Sequence, residues 1–395
     1  MTRAQQVSPK SLVSYGVGTL LLVGGLTWVL AELATPVGVS VVTADLSGLG
    51  RTVGLIAAAA VGVPAAVLAY HRQRALDTAN RTAAAQHETA ARQHEHKVRV
   101  DDREHRTGTE RHLRERYTTC AEQLGHDNSA IRLAGVYAIA SLADDWHEFG
   151  NDSERQVCID LLCAYLRSRP QPDEGNHVRT AIIRAIRSRA DRGQWAGCQF
   201  DLAGADLTGS NLVGAELDGA LLDSARLDSA RLDRASLNRA NLNRANLDSA
   251  SLKTATLTGA QLMGANLTGA NLFGADLTHA KLNGARLSNA NLFGADLTAA
   301  RLNGVRLSNA NLTNANLTHA NLTHARLTNA RLTNARLTNA DLTNADLTNA
   351  DLTNADLTNA DLTNANLENC RYSETTQWAD GFTPPPLIAS ASNSE

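Results

Sequence analysis

Residues 335–352 read ARLTNADLTNADLTNADL, a five-residue unit repeated with almost no variation. Low-complexity sequence of this kind often stays disordered because it cannot bury a core. Here, however, a leucine occurs at every fifth position without a gap from Leu202 to Leu367, which gives 34 units in one register. A register that long indicates a folded repeat rather than a disordered tract.

A period of five fits neither regular element. On an α-helix, leucines five residues apart spread over every face, and on a strand they alternate between the two faces. A chain that turns once per unit keeps each leucine inside. The residue two before leucine is Ala except at Phe200, Ser210 and Val305, which leaves little room inside. The residue two after leucine is mostly Gly or Asn, for example Gly264 and Asn309, and these accept the positive φ of a corner.

The unit Ala265-Asn266-Leu267-Thr268-Gly269 resembles the A-(D/N)-L-x-x unit of the pentapeptide-repeat family, and the likeness covers residues 200–369. The resemblance implies an all-β right-handed quadrilateral β-helix with four units per coil, which we assign to residues 193–369. Coils then rise by about 4.8 Å and residues twenty apart stack. Leu272 is therefore expected in the core between Leu252 and Leu292.

Solenoid ends need covers. Trp195 and Phe200 stand where the first coil needs an apolar lid, and Trp378 and Phe382 could cover the last coil. Residues 370–395 are accordingly predicted to form a C-terminal cap and a flexible tail.

Two uncharged apolar segments lie near the N-terminus, at residues 12–31 and 52–70. Each is long enough to span a bilayer as a helix. Arg3 and Lys10 precede the pair, and Arg72 and Arg74 follow it. The positive-inside rule then predicts a transmembrane hairpin in residues 1–70, with both ends in the cytoplasm. The alternatives are a cleaved signal peptide for the first segment and a buried alanine-rich helix for the second.

Residues 71–116 carry 11 Arg or Lys, 8 Asp or Glu and six His, with few apolar residues. This composition predicts a charged, solvated helical stalk. His94 and His96 suggest a metal site or a pH sensor, but no compact set of ligands accompanies them. We therefore interpret them as part of the solvated face.

Residues 117–192 show helical spacing in three segments, 128–143, 153–169 and 177–190, with Asn128 as the expected N-cap of the first. The first segment is similar to a HEAT-type helix, so we predict a small HEAT-like α-helical domain. The stretch 116–146 followed by repeats is similar to membrane-anchored bacterial pentapeptide-repeat proteins of actinobacterial type.

No sequence motif of a known catalytic, nucleotide or metal site occurs, so we expect no enzyme, no cofactor and no metal. The aspartates before leucine point outward on flat sides, where carboxylates lack a desolvated cleft. The cysteines are odd in number, without ligand spacing, and read as reduced thiols in a reducing compartment: Cys120, Cys158, Cys163, Cys198 and Cys370.

Charged residues before leucine cluster along the repeat. A basic group is followed by an acidic group, and stacking by twenty puts Arg326, Arg331 and Arg336 directly before Asp346, Asp351 and Asp356. One interpretation is ion pairing that fixes coil register, and the other is a docking surface. Its candidate residues are Lys281, Arg286, Arg301, Arg306 and Arg326, which we call the basic band, and Asp341, Asp346, Asp351, Asp356 and Asp361, which we call the acidic collar.

Two functions fit this organisation. The first is a scaffold that is anchored in the lipid bilayer of the inner membrane through residues 12–70 and presents the repeats to an unidentified cytoplasmic protein. Self-association into a homo-oligomer is compatible with this function. The second, implied by the quinolone-resistance members of the family, is a mimic of duplex DNA that binds a type II topoisomerase. Residues 200–369 have a net charge of only −3 (14 Asp and 2 Glu against 11 Arg and 2 Lys), far below that of duplex DNA. The scaffold is favoured, and binding of nucleic acid is not expected.

Overall fold

The computed structural model describes residues 46–168, 177–190 and 194–386. These residues form four helices ahead of the repeats: α1 (Leu46–Leu124), α2 (Ser129–Phe149), α3 (Asp152–Arg167) and α4 (His177–Ala190). The chain divides into two compact units after His105, within α1. Each unit is described separately below.

In the first unit, the described residues belong to α1. Its side chains are exposed from residue 65 to His105, and i,i+4 ion pairs join Arg92 to Glu88 (2.5 Å) and Arg99 to Glu95 (3.3 Å). The predicted span at residues 52–70 falls within this helix, whereas residues 12–31 lie outside the described residues. Among the residues that the structure describes, no helix combines the length and apolarity needed to cross a bilayer.

In the second unit, α2, α3 and α4 pack around large apolar side chains. Asn128 caps α2 as predicted, because its side chain accepts a hydrogen bond from the backbone N of Ala130 (2.8 Å). Gly150 ends α2 in the left-handed conformation, and Asn151 caps α3. The fully buried side chains of the three helices form their common core: Ile139, Leu142, Trp146, Ile159, Leu162, Ile182 and Ile186.

The repeats form a β-helix of four-sided coils. Parallel bridges join residues twenty apart, from Asp201–Leu221 to Asp351–Arg371, so each coil contains four five-residue units. From Leu202 to Leu357, each repeat leucine donates its N–H to the next coil, as Leu202 does to the carbonyl of Leu221 (2.7 Å). This register confirms the turn at every unit that the leucine period predicted and the quadrilateral β-helix that the resemblance implied.

Leucine and alanine fill the inside of the coils. Leu252, Leu272 and Leu292 are fully buried, and so are nearly all alanines two residues before a leucine. At each corner the residue two after leucine has a positive φ, which closes a turn such as the one in which the backbone N of Ala205 donates to the carbonyl of Leu202 (3.0 Å). Most corners have Gly or Asn, but Thr254 also adopts φ 52°.

The two ends of the β-helix are covered differently. At the first coil, Trp195 and Phe200 are buried in one core with α2, α3 and α4, so the helical domain supplies most of the cover. Trp195 also donates from Nε1 to Asp144 (3.0 Å). At the last coil, Trp378 and Phe382 are partly buried against the core, with ring centroids 5.3 Å apart. The predicted tail beyond residue 386 lies outside the described residues.

Candidate interaction surface

In each repeat unit the residue two after leucine is the exposed corner, and the residues immediately before and after leucine lie on the outer face of the side. We name the four sides of the β-helix A, B, C and D. They contain Leu202, Leu207, Leu212 and Leu217 respectively, and every twentieth residue after each. Because residues before leucine bridge to their equivalents one coil away, each side carries a straight ladder of outward side chains about 4.8 Å apart.

Aspartates of these ladders are held by threonines. Asp276 Oδ1 accepts hydrogen bonds from the backbone N (2.9 Å) and Oγ1 (2.5 Å) of Thr278, and its Oδ2 accepts one from Thr258 Oγ1 (2.9 Å). Burial alone would raise the pKa of Asp276, but these hydrogen bonds outweigh it and the pKa lies below its ordinary value. The carboxylate thus stays ionised and closes the corner that follows it.

The same arrangement recurs in the acidic collar. Asp346 Oδ1 accepts hydrogen bonds from Oγ1 (2.5 Å) and the backbone N (3.1 Å) of Thr348, and its Oδ2 accepts one from Thr328 Oγ1 (2.9 Å). The bond from the Thr348 hydroxyl lowers the pKa of Asp346 most, and Arg326 adds a smaller contribution. The pKa values of Asp341, Asp356 and Asp361 are lowered by equivalent hydrogen bonds. A general acid or base needs a pKa near neutrality, so this arrangement does not suit acid–base chemistry.

Sequence reasoning placed these aspartates on a solvated face and missed their hydrogen bonds. The sequence does contain a signal for these hydrogen bonds, because most of the outward aspartates and asparagines precede the pattern Leu-Thr, as in Asp276-Leu277-Thr278. A carboxylate or amide commonly accepts hydrogen bonds from a backbone N–H two residues later. The threonine hydroxyl adds the second bond here.

The structure brings the predicted docking residues into ladders. Arg286, Arg306 and Arg326 bridge in succession on side B, and Lys281 bridges to Arg301 on side A. The acidic collar follows directly, with Asp341 and Asp361 on side A and the other members on the remaining sides: Asp346 on B, Asp351 on C and Asp356 on D. The basic and acidic groups therefore occupy successive coils of one continuous surface.

The expected ion pairs between these groups are not formed. Within the described residues, Arg326, Arg331 and Arg336 bridge to Asp346, Asp351 and Asp356 through the backbone, but none of the three guanidinium groups lies within 4.0 Å of a carboxylate. The aspartate oxygens accept from threonines instead, as at Asp356, where Thr338 Oγ1 lies 2.8 Å from Oδ2. These charges consequently remain exposed to a partner.

Other parts of the described chain are weaker candidates for a functional site. A cavity of about 420 Å³ lies between α4 and the first coil, but Arg179 on its wall is committed to the carbonyl oxygens of Leu166 and Ser168. The histidines of α1, including His94 and His96, are exposed, and the residues searched contain no group of three potential metal ligands.

The cysteines all lie in the described part and are buried as free thiols. Burial raises their pKa values, to about 12 for Cys158 and Cys163. A thiol whose pKa is that high carries almost no thiolate at neutral pH and is a poor nucleophile. The cysteines therefore belong to the packing of the protein.

Comparison with known proteins identifies the repeats. The family model described as "Pentapeptide repeats" matches residues 201–239, 230–269, 270–309, 300–339 and 335–371. HetL from Nostoc sp. strain PCC 7120, a pentapeptide repeat protein involved in regulation of heterocyst differentiation, is 34% identical over 45% of this chain and 91% of its own (TM-score 0.28). Rfr23 from Cyanothece 51142 is 32% identical over 30% of this chain and 90% of its own (TM-score 0.20).

A third solved structure is a trypsin-treated form of QnrB1, a plasmid-mediated fluoroquinolone resistance protein. It is 21% identical over 45% of this chain and 81% of its own (TM-score 0.24). No protein of curated function matches the chain significantly.

Proposed function

Because the chain belongs to the pentapeptide repeat family, whose repeats imply a right-handed quadrilateral β-helix, we propose that it is a non-enzymatic scaffold that presents this β-helix to a protein partner. The observation that carries the proposal is the exposed charge of the ladders. The basic band makes no ion pair within the described residues, and the acidic collar is held by threonines. Such charges are available to steer and orient a partner.

The ladders are also rigid. Each outward residue stands on a backbone that is hydrogen-bonded to the coils on both sides, over a fully buried leucine. Side chains fixed in this way lose little backbone entropy on binding, so a partner with a matching charge pattern gains affinity from their preorganisation.

We place the scaffold at the inner membrane, with residues 12–70 in the bilayer and the β-helix in the cytoplasm. Support comes from the uncharged segments 12–31 and 52–70 and from the basic residues outside the pair. Protease added to intact spheroplasts should then leave the β-helix uncut. Removal of residues 200–395 from outside would exclude this topology.

Proximity labelling tests the scaffold function itself. The full chain, fused to a biotin ligase, is compared with an Arg286→Gln/Arg306→Gln/Arg326→Gln variant, which removes the three charges of the basic band on side B. Asn271→Gln/Asn291→Gln/Asn311→Gln on side C is the matched control, since it changes three outward residues of neighbouring coils without changing charge. We expect a reproducible set of labelled proteins that the arginine variant loses and the control retains. Identical labelling by all three chains would exclude the ladder as the docking surface.

The alternative, a mimic of duplex DNA that binds a type II topoisomerase, is less well supported. The basic band interrupts the acidic surface in the middle of the β-helix, where a mimic would need negative charge. The full chain is therefore expected to leave DNA supercoiling by gyrase unchanged at micromolar concentration. Inhibition that the acidic-collar variant Asp346→Asn/Asp351→Asn/Asp356→Asn abolishes would favour the alternative.

A further inference from the structure

Side A carries a charge pattern that is symmetric in position and opposite in sign. Reading one coil at a time, the residues before leucine are Lys281, Arg301, Asn321, Asp341 and Asp361, and each bridges to the next. Asn321 is the neutral centre. The residue one coil before it is positive and the residue one coil after it is negative, and the same holds two coils away.

Within one chain this arrangement stacks like charges. Lys281 lies beside Arg301, and Asp341 lies beside Asp361, at a spacing of about 4.8 Å. Like charges directly opposite one another on adjacent strands are destabilising. The repulsion is visible at Asp341, where Asp361 acts to raise the pKa against the hydrogen bonds that lower it. In the described residues neither Lys281 nor Arg301 has a carboxylate within 4.0 Å.

We propose that side A binds side A of a second copy of this chain, with the two β-helices antiparallel and related by a twofold axis at Asn321. This rotation places Lys281 of each copy opposite Asp361 of the other, and Arg301 opposite Asp341. Four opposite-charge pairs replace the like-charge neighbours of the single chain. The interface is isologous, so it closes after two copies and does not propagate into a filament.

Side A is better suited to this pairing than its neighbour. On side B the corresponding ladder is Arg286, Arg306, Arg326, Asp346 and Asn366. The same rotation about its centre would put Arg326 against itself and leave Arg286 opposite a neutral residue. The charge symmetry is thus a property of side A and does not follow from the repeat as such.

One exposed aliphatic residue lies on the same side. Met263 is 42% exposed and stands on side A, three coils before Asn321. In the antiparallel pair, Met263 comes opposite the C-terminal cap of the partner, where Phe382 is half-buried. Five paired coils span only about 24 Å along one side. The area that they bury is therefore smaller than that of a standard protein–protein interface. The pairing is therefore weak, and its charge pairs make it sensitive to salt.

Sedimentation equilibrium of the full chain, kept in mild detergent, tests the pairing. We expect a monomer–dimer equilibrium whose Kd rises about tenfold or more between about 0.05 M and about 0.5 M salt. The variants Lys281→Asp/Arg301→Asp and Asp341→Lys/Asp361→Lys should each be monomeric, because each presents one sign of charge along the whole ladder. An equal mixture of the two should form a heterodimer, because every opposed position is then of opposite sign.

Arg286→Asp/Arg306→Asp is the matched control, since it reverses two charges in the same coils on side B, and it should dimerise like the natural chain. A second readout uses Asn321→Cys, because the native thiols are buried. A short bis-maleimide should join two such chains at low salt and fail to join chains with Asn311→Cys on side C. A monomeric natural chain at low salt, or loss of dimer in the side B control, would overturn the proposal. Neither result bears on partner labelling through side B, so the two proposals fail separately.

Discussion

The helical domain and the β-helix bury apolar surface in opposite ways. In α2–α4, a few large side chains such as Trp146, Ile159 and Ile186 are buried in one common core. In the β-helix, small and equal contributions from Leu and Ala recur in every coil, and each coil contacts only its neighbours. Stability is therefore concentrated in the helical domain and distributed along the β-helix. This distribution leaves the outward residues of the β-helix free to vary.

The largest effect on stability is expected when one inward leucine is shortened. Leu272 is fully buried, so Leu272→Ala should lower the free energy of unfolding by about 2–5 kcal/mol, and Leu272→Lys should lower it further because a charge would lie in a dry interior. Asp276→Asn, four residues away, should cost less, about 1 kcal/mol, because Asn keeps an oxygen for Thr278 but cannot accept the hydrogen bond from Thr258 Oγ1. Urea unfolding of the three variants measures this contrast.

Unfolding of Leu162→Ala in α3 should be measured alongside Leu272→Ala, so that the helical domain and the β-helix are compared directly. Leu162 is buried to the same extent, but its loss should destabilise the helical domain as a whole. Leu272→Ala should instead create a local opening in the coils beside it, seen as faster amide hydrogen exchange there. Equal effects of Leu272→Ala and Asp276→Asn would contradict a winding with leucine inside.

Gly135 tests the close packing of the helical domain. A Cβ at this position would lie 2.6 Å from the backbone N of Leu124 and 2.9 Å from the carbonyl carbon of Gln123. Because both are backbone atoms, α2 must move away from the end of α1, and Gly135→Ala should cost about 1–3 kcal/mol. Gly108→Ala on exposed α1, where nothing lies within 4 Å, is the control and should be neutral or stabilising.

Thr254 tests the corners of the β-helix. It is a β-branched residue at φ 52°, a conformation that glycine adopts without strain. Thr254→Gly should therefore raise the free energy of unfolding by about 0.5–1 kcal/mol. A decrease in thermal unfolding midpoint would mean that the side chain contributes more to the corner than its strain costs. Asn309→Gly is the control and should change stability less, because Asn tolerates this conformation.

Acid should weaken the β-helix more than the helical domain. Hydrogen bonds from threonines hold the pKa values of Asp276, Asp346 and Asp356 below their ordinary value of 3.8. A lowered folded-state pKa contributes stability above the unfolded value, and that contribution is lost as pH falls through the folded pKa. The urea midpoint of the β-helix should thus fall as the pH drops below the ordinary aspartate pKa of 3.8. Thr278→Val should reduce this dependence, and an unchanged pH profile in that variant would contradict the role of the hydrogen bond.

Sequence reasoning reached the fold in two steps: the leucine period required a chain that turns once per unit, and the resemblance to the pentapeptide-repeat family implied four units per coil. It also placed Asn128 at a helix cap from local pattern alone. It did not foresee that threonines rather than arginines would hold Asp346 and Asp356, because that depends on which donor reaches a carboxylate in space. Nor did it foresee that α3 and α4 join Trp195 and Phe200 in covering the first coil, since the packing of distant segments has no short-range signature.

The central claim is that the outward charges of the β-helix are not required for its stability. The urea unfolding midpoint of the full chain with Arg286→Gln/Arg306→Gln/Arg326→Gln tests it most directly. The three arginines occupy successive positions of one ladder, and in the described residues no carboxylate lies within 4.0 Å of their guanidinium groups. Their removal relieves repulsion between like charges and gives up only the more distant attraction between Arg326 and Asp346. We predict a midpoint equal to that of the natural chain or slightly higher. A midpoint lowered as far as that of Leu272→Ala would contradict the claim and show that these arginines hold the coils in register.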